Sequence, residues 1–261
     1  MKAVTLKSGD KMPLLGLGTW QLKGEDCVNA VQEALDMGYR HIDTAKAYDN
    51  HEQVGKGIKK SEVDRDEIFI TTKIWNDSHE YEQVLASGKQ FLQELGIDYI
   101  DLLLIHWPVE EVPVEETLKG MQELKEDGIV KNIGVSNFSI EHLREAFAKS
   151  SAEICNNQIK IHPYEYPEKQ IDFCQENDIS VTAYSPLARG KVFEDGKLLS
   201  LSKKYNQSVA QLVLRWMVEK DIIVIPKATS REHIKDNFAL FDWELPAEVT
   251  EVLDNIEQSI E

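Results

Sequence analysis

The sequence predicts an α/β protein, a closed (β/α)8 or TIM-type barrel with an N-terminal β-hairpin and an extra C-terminal helix. Three observations lead there. Short apolar runs recur at 14–19, 39–43, 67–73, 99–106, 130–136, 154–158, 180–184 and 222–226. Most are continuously apolar rather than alternating, the pattern of parallel strands covered on both faces. Eight such units in 261 residues suit a closed barrel. The rival, an open doubly wound sheet, carries Gly-x-Gly-x-x-Gly between its first strand and first helix. Gly16 and Gly18 are present, but position 21 is Gln, so that fingerprint fails.

In chain order, two short strand-like pieces flank Ser8-Gly9-Asp10, a hairpin turn signal. A helical pattern starts at Asp26, and others cover 81–95, 114–126, 140–148, 167–177 and 207–220. The tail, 241–261, reads as one more amphipathic helix after the eighth unit. Neither a low-complexity stretch nor a composition break interrupts the chain, so residues 1–261 read as one domain.

Composition narrows the partners. Twenty-nine basic against 46 acidic residues give a net charge of −17, which disfavours nucleic acid and anionic membranes. The first ten residues hold no apolar core of signal-peptide length, and no run of ~18 apolar residues occurs. A cytoplasmic monomer is therefore expected. Cys27, Cys155 and Cys174 are odd in number and widely spaced, which suits buried thiols and neither a disulfide framework nor a zinc site. No His-x-His follows the first strand, so no metal is expected.

A barrel gathers its chemistry at the carboxyl ends of its strands. In order, those ends carry Thr19 and Trp20, Asp43 with Tyr48, Lys73 with Trp75, His106 with Trp107, Ser136 and Asn137, Gln158, Tyr184 and Ser185, and Lys227. The strand period of two puts His41 with Asp43, Phe69 and Thr71 with Lys73, and Leu102 and Leu104 with His106 on single faces. A desolvated Lys73 needs a counter-charge, and Asp43 is the candidate. The pair would hold an ammonium beside the Tyr48 hydroxyl and lower a phenol pKa that is otherwise near 10. A phenol so tuned can protonate a carbonyl oxygen that gains charge, with a neutral His106 as second donor. Such a site needs an electron source, and hydride from a nicotinamide cofactor is the natural one. Taken singly, each of the four groups has a structural explanation in packing or ion pairing; gathered at one face they favour shared chemistry.

At the eighth strand, Lys227 and Arg231 flank the start of a helix, a place where cations are unfavourable unless a phosphate binds among them and the free backbone N–H groups. Two alternatives stay open. One is a lyase or isomerase acting on a sugar phosphate, with Lys73 as a Schiff-base amine. The other is a non-catalytic protein that keeps the fold to bind a cofactor.

The residues resemble the aldo-keto reductase superfamily over essentially the whole chain, and its short prokaryotic-type diketogluconate and methylglyoxal reductases in particular. The resemblance rests on Gly16-Leu17-Gly18-Thr19-Trp20, on Gly38-Tyr39-Arg40-His41-Ile42-Asp43-Thr44-Ala45 with Tyr48, Glu52 and Val54-Gly55, and on Leu103-Leu104-Ile105-His106-Trp107-Pro108. Ile133-Gly134-Val135-Ser136-Asn137-Phe138 and Ile225-Pro226-Lys227 complete it. It implies metal-independent reduction of aldehydes and ketones with NADPH, by a tetrad of Asp43, Tyr48, Lys73 and His106 in which Tyr48 is the general acid. It also implies that Ser136, Asn137 and Gln158 hold the carboxamide and that Tyr184 stacks on the nicotinamide. Thr19 and Trp20 fall at the same mouth. Ser185, Leu187 and Arg189 fall by the pyrophosphate, and Lys227, Ala228, Thr229, Ser230, Arg231, His233, Asp236 and Asn237 by the adenosine phosphate. The family pattern has Ser, Arg and Glu where Ala228, His233 and Asp236 stand, so NADH is expected to serve beside NADPH. A chain ending soon after its last helix implies an open mouth walled by Trp20, Trp75 and Trp107, with Tyr48 and His106 at its base. Small aldehydes, α-dicarbonyls and keto sugars are the expected substrates.

Overall fold

The computed structural model describes residues 2–256. It opens with the expected hairpin, β1 (Ala3–Thr5) antiparallel to β2 (Lys11–Pro13). Eight parallel strands follow in one sheet, each beside its neighbour in sequence. They are β3 (Leu17–Gly18), β4 (His41–Asp43), β5 (Phe69–Ile74), β6 (Ile100–Ile105), β7 (Val130–Ser136), β8 (Ile154–Lys160), β9 (Ser180–Tyr184) and β10 (Ile223–Val224). The sheet curls until its two ends meet: Gly16 N–H donates to Val224 O at 2.9 Å, and Val224 N–H to Leu14 O at 2.8 Å. This is consistent with a (β/α)8 barrel. Because all eight strands run the same way, every carboxyl end opens on one face.

The apolar runs became strands because both faces are covered: every residue of β5 and β6 is buried. The outer layer holds α1 (Gly24–Asp36), α2 (His51–Lys60), α3 (Tyr81–Leu95), α4 (Val114–Glu126), α5 (Ile140–Lys149), α6 (Glu168–Glu176), α7 (Gly196–Tyr205), α8 (Val209–Val218), α9 (Arg231–Phe238) and α10 (Ala247–Asp254). Reciprocal capping boxes open α3 (Glu80 with Gln83), α5 (Ser139 with His142) and α8 (Ser208 with Gln211). The three cysteines are buried free thiols, as expected.

Several boundaries differ from the sequence reading. The first and last runs shrink to β3 and β10, two residues each. Pro226 has no N–H to extend the ladder, and Gly18 sits so close to its neighbour that a Cβ would come within 2.5 Å of Ile225 O. Helices α2 and α7 were not anticipated. The C-terminal helix is confined to α10, and residues 257–261 of the expected tail lie outside the described residues. Among the described residues no helix is long and apolar enough to cross a membrane.

Candidate active site

Four side chains from successive units meet at the carboxyl face. Lys73, one residue before the end of β5, is fully buried, and its ammonium donates to Asp43 Oδ1 at 2.6 Å, to Thr44 O at 2.9 Å and to the Tyr48 hydroxyl at 3.4 Å. Asp43 ends β4, and its second oxygen, Oδ2, accepts from Gln158 Nε2 of β8 at 2.7 Å. Tyr48 ends a short 3-10 turn, Lys46–Tyr48, just beyond β4. His106 follows β6, with its ring edge-on to Tyr48 at 5.8 Å and to Trp75 at 5.0 Å between centroids. His41 and Asp43, Thr71 and Lys73, Leu102 and Leu104 are all buried, as are the residues between them.

Electrostatics follow from burial. Burial pushes the Asp43 carboxyl above its usual range, against the pull of Lys73 and Gln158. Burial also opposes charge on Lys73, but Asp43 and Tyr48 outweigh it and hold the ammonium above its ordinary value. Burial, reinforced by the Lys73 charge, pushes the His106 imidazole down to about 3, so it is neutral, as the sequence suggested. Tyr48 corrects an expectation. Burial holds its phenol above the ordinary value, and Asp43 adds to the rise, although Lys73 pulls the other way. The cation loses this contest to desolvation, since the phenol is buried beside it and the ammonium, 3.4 Å away, is also 2.6 Å from the Asp43 carboxylate.

A cleft of about 430 Å³ opens above the tetrad. Of the residues singled out in the sequence, Trp20, Asp43, Tyr48, Trp75, His106, Trp107, Ser136, Asn137, Gln158, Tyr184, Ser185, Arg189 and Lys227 line it. One wall is a polar relay. The Ser136 hydroxyl donates to Gln158 O at 2.8 Å, Asn137 Nδ2 to His106 O at 3.0 Å, and the Tyr184 hydroxyl to Asn137 Oδ1 at 2.9 Å. Asn137 adopts the left-handed conformation at φ 61°, which Asn tolerates better than most residues. Trp20 and Trp107 are each 43% exposed, so they form the rim rather than the core. Arg189 lies over the Trp20 ring at 5.4 Å.

Other expected site residues sit apart from that lining. Thr19 is buried and donates to Asp43 O at 2.9 Å, which braces the end of β4. Lys73 lies beneath the surface, 3.4 Å from the Tyr48 hydroxyl. Leu187 is partly buried against the core. Thr229, Ser230, Arg231 and His233 are exposed around the start of α9, which Ser230 caps by accepting from His233 N–H at 3.2 Å. Tyr39 fixes that helix by donating to Ile234 O at 3.1 Å. Ala228 and Asn237 are buried, and Asp236 Oδ2 accepts from Ser208 at 2.5 Å. Gly18, Ala47, Pro186 and Ile225 line the cleft without having been anticipated. Each lies within two residues of an expected one, and none carries a reactive side chain. Among the described residues no group of three His, Cys, Asp or Glu is arranged to hold a metal ion.

Comparison with known proteins agrees with this fold. The sequence model described as the Aldo/keto reductase family matches residues 14–258. Methylglyoxal reductase DkgA of Escherichia coli (strain K12) is 42% identical over 247 residues, covering 93% of this chain and 88% of that protein. The crystal structure of MGS-M4, an aldo-keto reductase enzyme from a Medee basin deep-sea metagenome library, superposes with a TM-score of 0.96 at 38% identity, covering 99% of this chain and 96% of that one. A Bombyx mori aldo-keto reductase solved in complex with NADP gives a TM-score of 0.91 at 35% identity, over 98% of this chain and 93% of that one. The chain thus belongs to the aldo/keto reductase family and is an oxidoreductase.

Proposed function

We propose that this oxidoreductase reduces small aldehydes and ketones, α-dicarbonyls foremost, to alcohols by direct hydride transfer from NADPH, with Tyr48 as the general acid. One observation carries the reading: a fully buried ammonium, anchored by Asp43, lies 3.4 Å from a phenol at the base of an aromatic-rimmed cleft. The reading takes the fold as one closed barrel domain, supported by the bonds between its first and last strands.

The cleft suits the cofactor by its donor set. Ser136, Asn137 and Gln158 offer hydroxyl and amide groups to a carboxamide, and the Tyr184 ring offers a flat face to a nicotinamide. Gln158 spends Nε2 on Asp43, which leaves Oε1 to accept from an amide. Arg189, Lys227 and Arg231 are exposed cations in a chain of net charge −17, suited to phosphates. When bound, NADPH supplies the hydride that reaches the carbonyl carbon. Tyr48 delivers its proton to the carbonyl oxygen, and the Lys73 ammonium stabilises the phenolate left behind. A phenol with a raised pKa stays loaded with its proton, and the alkoxide forming on the substrate is the stronger base. Neutral His106 keeps an N–H to orient that oxygen.

A Schiff-base role for Lys73 fits poorly. Its amine has no exposed surface and is spent on three oxygens, whereas such chemistry needs a free, accessible amine. The half-exposed Trp20 and Trp107 favour broad, weakly bound substrates over a tight fit. The test is oxidation of NADPH with methylglyoxal, phenylglyoxal and nitrobenzaldehyde, wild type beside Tyr48→Phe. Full rate in the Phe variant refutes the acid assignment, and NADPH binding without turnover of any carbonyl points to a non-catalytic member. With Ala228 and His233 in the adenosine-phosphate region, NADH also supports turnover. A preference for NADPH above ~1000-fold, about 4 kcal/mol, counts against that part.

A further inference from the structure

The turn that carries Tyr48 is held from outside the cleft by a single carboxylate. Glu94, on α3, directs Oε1 to Lys46 Nζ at 2.8 Å and Oε2 to His51 Nδ1 at 2.7 Å. Lys46 begins the 3-10 turn that ends at Tyr48, and His51 begins α2. The two oxygens of one side chain therefore grip both ends of segment 46–51. Gln90, one helical turn earlier on α3, donates to Oε1 at 2.6 Å and orients the carboxylate. Glu94 only accepts, so His51 Nδ1 is the N–H end of a ring kept neutral by burial. Its Nε2 then accepts from the Thr72 hydroxyl at 2.8 Å. Thr72 precedes Lys73 on β5. The chain Lys46–Glu94–His51–Thr72 thus joins the turn bearing the phenol to the strand bearing the ammonium, and every member lies outside the cleft lining.

The inner side of the same segment has its own ties. Thr44 Oγ1 donates to Asn50 Oδ1 at 2.7 Å, and Asn50 Nδ2 donates to Thr19 O at 2.9 Å and Leu22 O at 3.1 Å. These fix the flanks of the turn against the barrel. Between them, Asp49 is left-handed at φ 49°, and Lys23, from an exposed position, bonds Tyr48 O at 2.7 Å. Without Glu94 the outer tie at both ends of 46–51 is lost together. The Tyr48 to Lys73 contact, already long at 3.4 Å, is the bond with the least margin.

We infer that Glu94 is a positioning residue for proton delivery: through Lys46 and His51 it sets the distance between the Tyr48 hydroxyl and the Lys73 ammonium. The inference rests on the reading of Tyr48 as the acid. Misplacing a reacting group by ~1 Å can cost on the order of a hundredfold in rate. Glu94→Ala is therefore expected to lower kcat for methylglyoxal reduction about tenfold or more. The carbonyl KM and NADPH affinity, read by quenching of tryptophan fluorescence, stay within about twofold because no cleft residue changes. Lys46→Met removes a half-exposed partner and is expected to give a smaller fall of the same kind. The double variant should be no slower than Glu94→Ala alone, since both changes break one tether.

A kcat within about twofold of wild type in both single variants overturns the inference, as do additive losses in the double variant. So does a fall in NADPH affinity that matches the fall in kcat. If Glu94→Ala does not fold, Lys46→Met and His51→Gln decide by the same split of kcat against KM. Tyr48→Phe is run beside them. If it keeps full rate, the acid assignment itself fails; if it is slow while the tether variants are normal, only this inference fails.

Discussion

Two clefts of this protein differ in character. A groove of about 900 Å³ lies between the hairpin, α6, α8 and α10, roughly twice the 430 Å³ at the mouth. The larger space is lined by several carboxylates, and its ion pair is partly exposed. Lys220 pairs with Asp254 at 3.0 Å with side chains 32% and 39% exposed, and Asp254 also accepts from Trp216 Nε1 at 2.7 Å. The base of the mouth holds a pair that is matched and dry, with the side chains of Lys73 and Asp43 0% and 2% exposed. Volume records where packing stops. Reactivity needs polar groups that converge, are desolvated and have little water to answer them. The smaller cleft meets that description and the larger one does not.

That contrast can be broken or sharpened by substitution. The largest effect belongs to Tyr48→Phe, which should lower the reduction rate by on the order of 10²–10⁴, the usual worth of a positioned acid, while the melting temperature hardly moves. Next is Lys73→Met. Removing one partner of a buried pair strands the other, so a stability loss of about 3–5 kcal/mol is expected in urea unfolding, with loss of activity. The matching change at the larger groove, Lys220→Met, removes a partly exposed pair and should cost under about 1 kcal/mol and leave kcat unchanged. Equal losses at the two sites would erase the distinction between dry and wet pairs.

Acidity probes the same difference. His41, at the start of β4, and His106, at the mouth, are both buried, and burial, aided by the Lys73 charge, pushes each down to about 3 from an ordinary 6.5. A histidine depressed in the folded state binds fewer protons there than in the unfolded chain. Stability is therefore intact above pH 6.5 and is lost as pH falls toward 3, at up to about 1.4 kcal/mol per pH unit for each imidazole. The slope of unfolding free energy against pH over that window checks it, and replacing His41 with Asn should flatten it by the share of one group.

How much of this was legible depended on how local the cause was. Run 130–136 became β7 with the same ends, because six of its seven residues are buried, all but Lys131, and leave little else for the backbone to do. Helix α2 went unread because Gly55 and Gly57 depress its propensity. Packing requires them: a Cβ at Gly55 would come within 2.1 Å of Leu95 O, and one at Gly57 within 2.7 Å of Val31. Helix α7 was signalled by Asp195, whose Oδ1 accepts from Lys197 N at 2.8 Å, but Asp-Gly reads equally as a turn. In the site, the strand-end residues were named from the sequence, while the lining residues Gly18, Ala47, Pro186 and Ile225 have no reactive side chain to mark them.

Alternating apolar runs and helical patterns were enough to determine that strands are parallel. Parallel strands send all their last residues to one face, so the members of the tetrad could be picked by position alone. Only the tertiary structure decided how those members are tuned. The Gln158 to Asp43 bond spans 115 residues, and the Glu94 grip on Lys46 spans 48. Neither separation leaves a periodic trace. The direction of the Tyr48 shift was decided there too, because desolvation and a nearby cation act in opposite senses and their balance depends on distances that only packing sets.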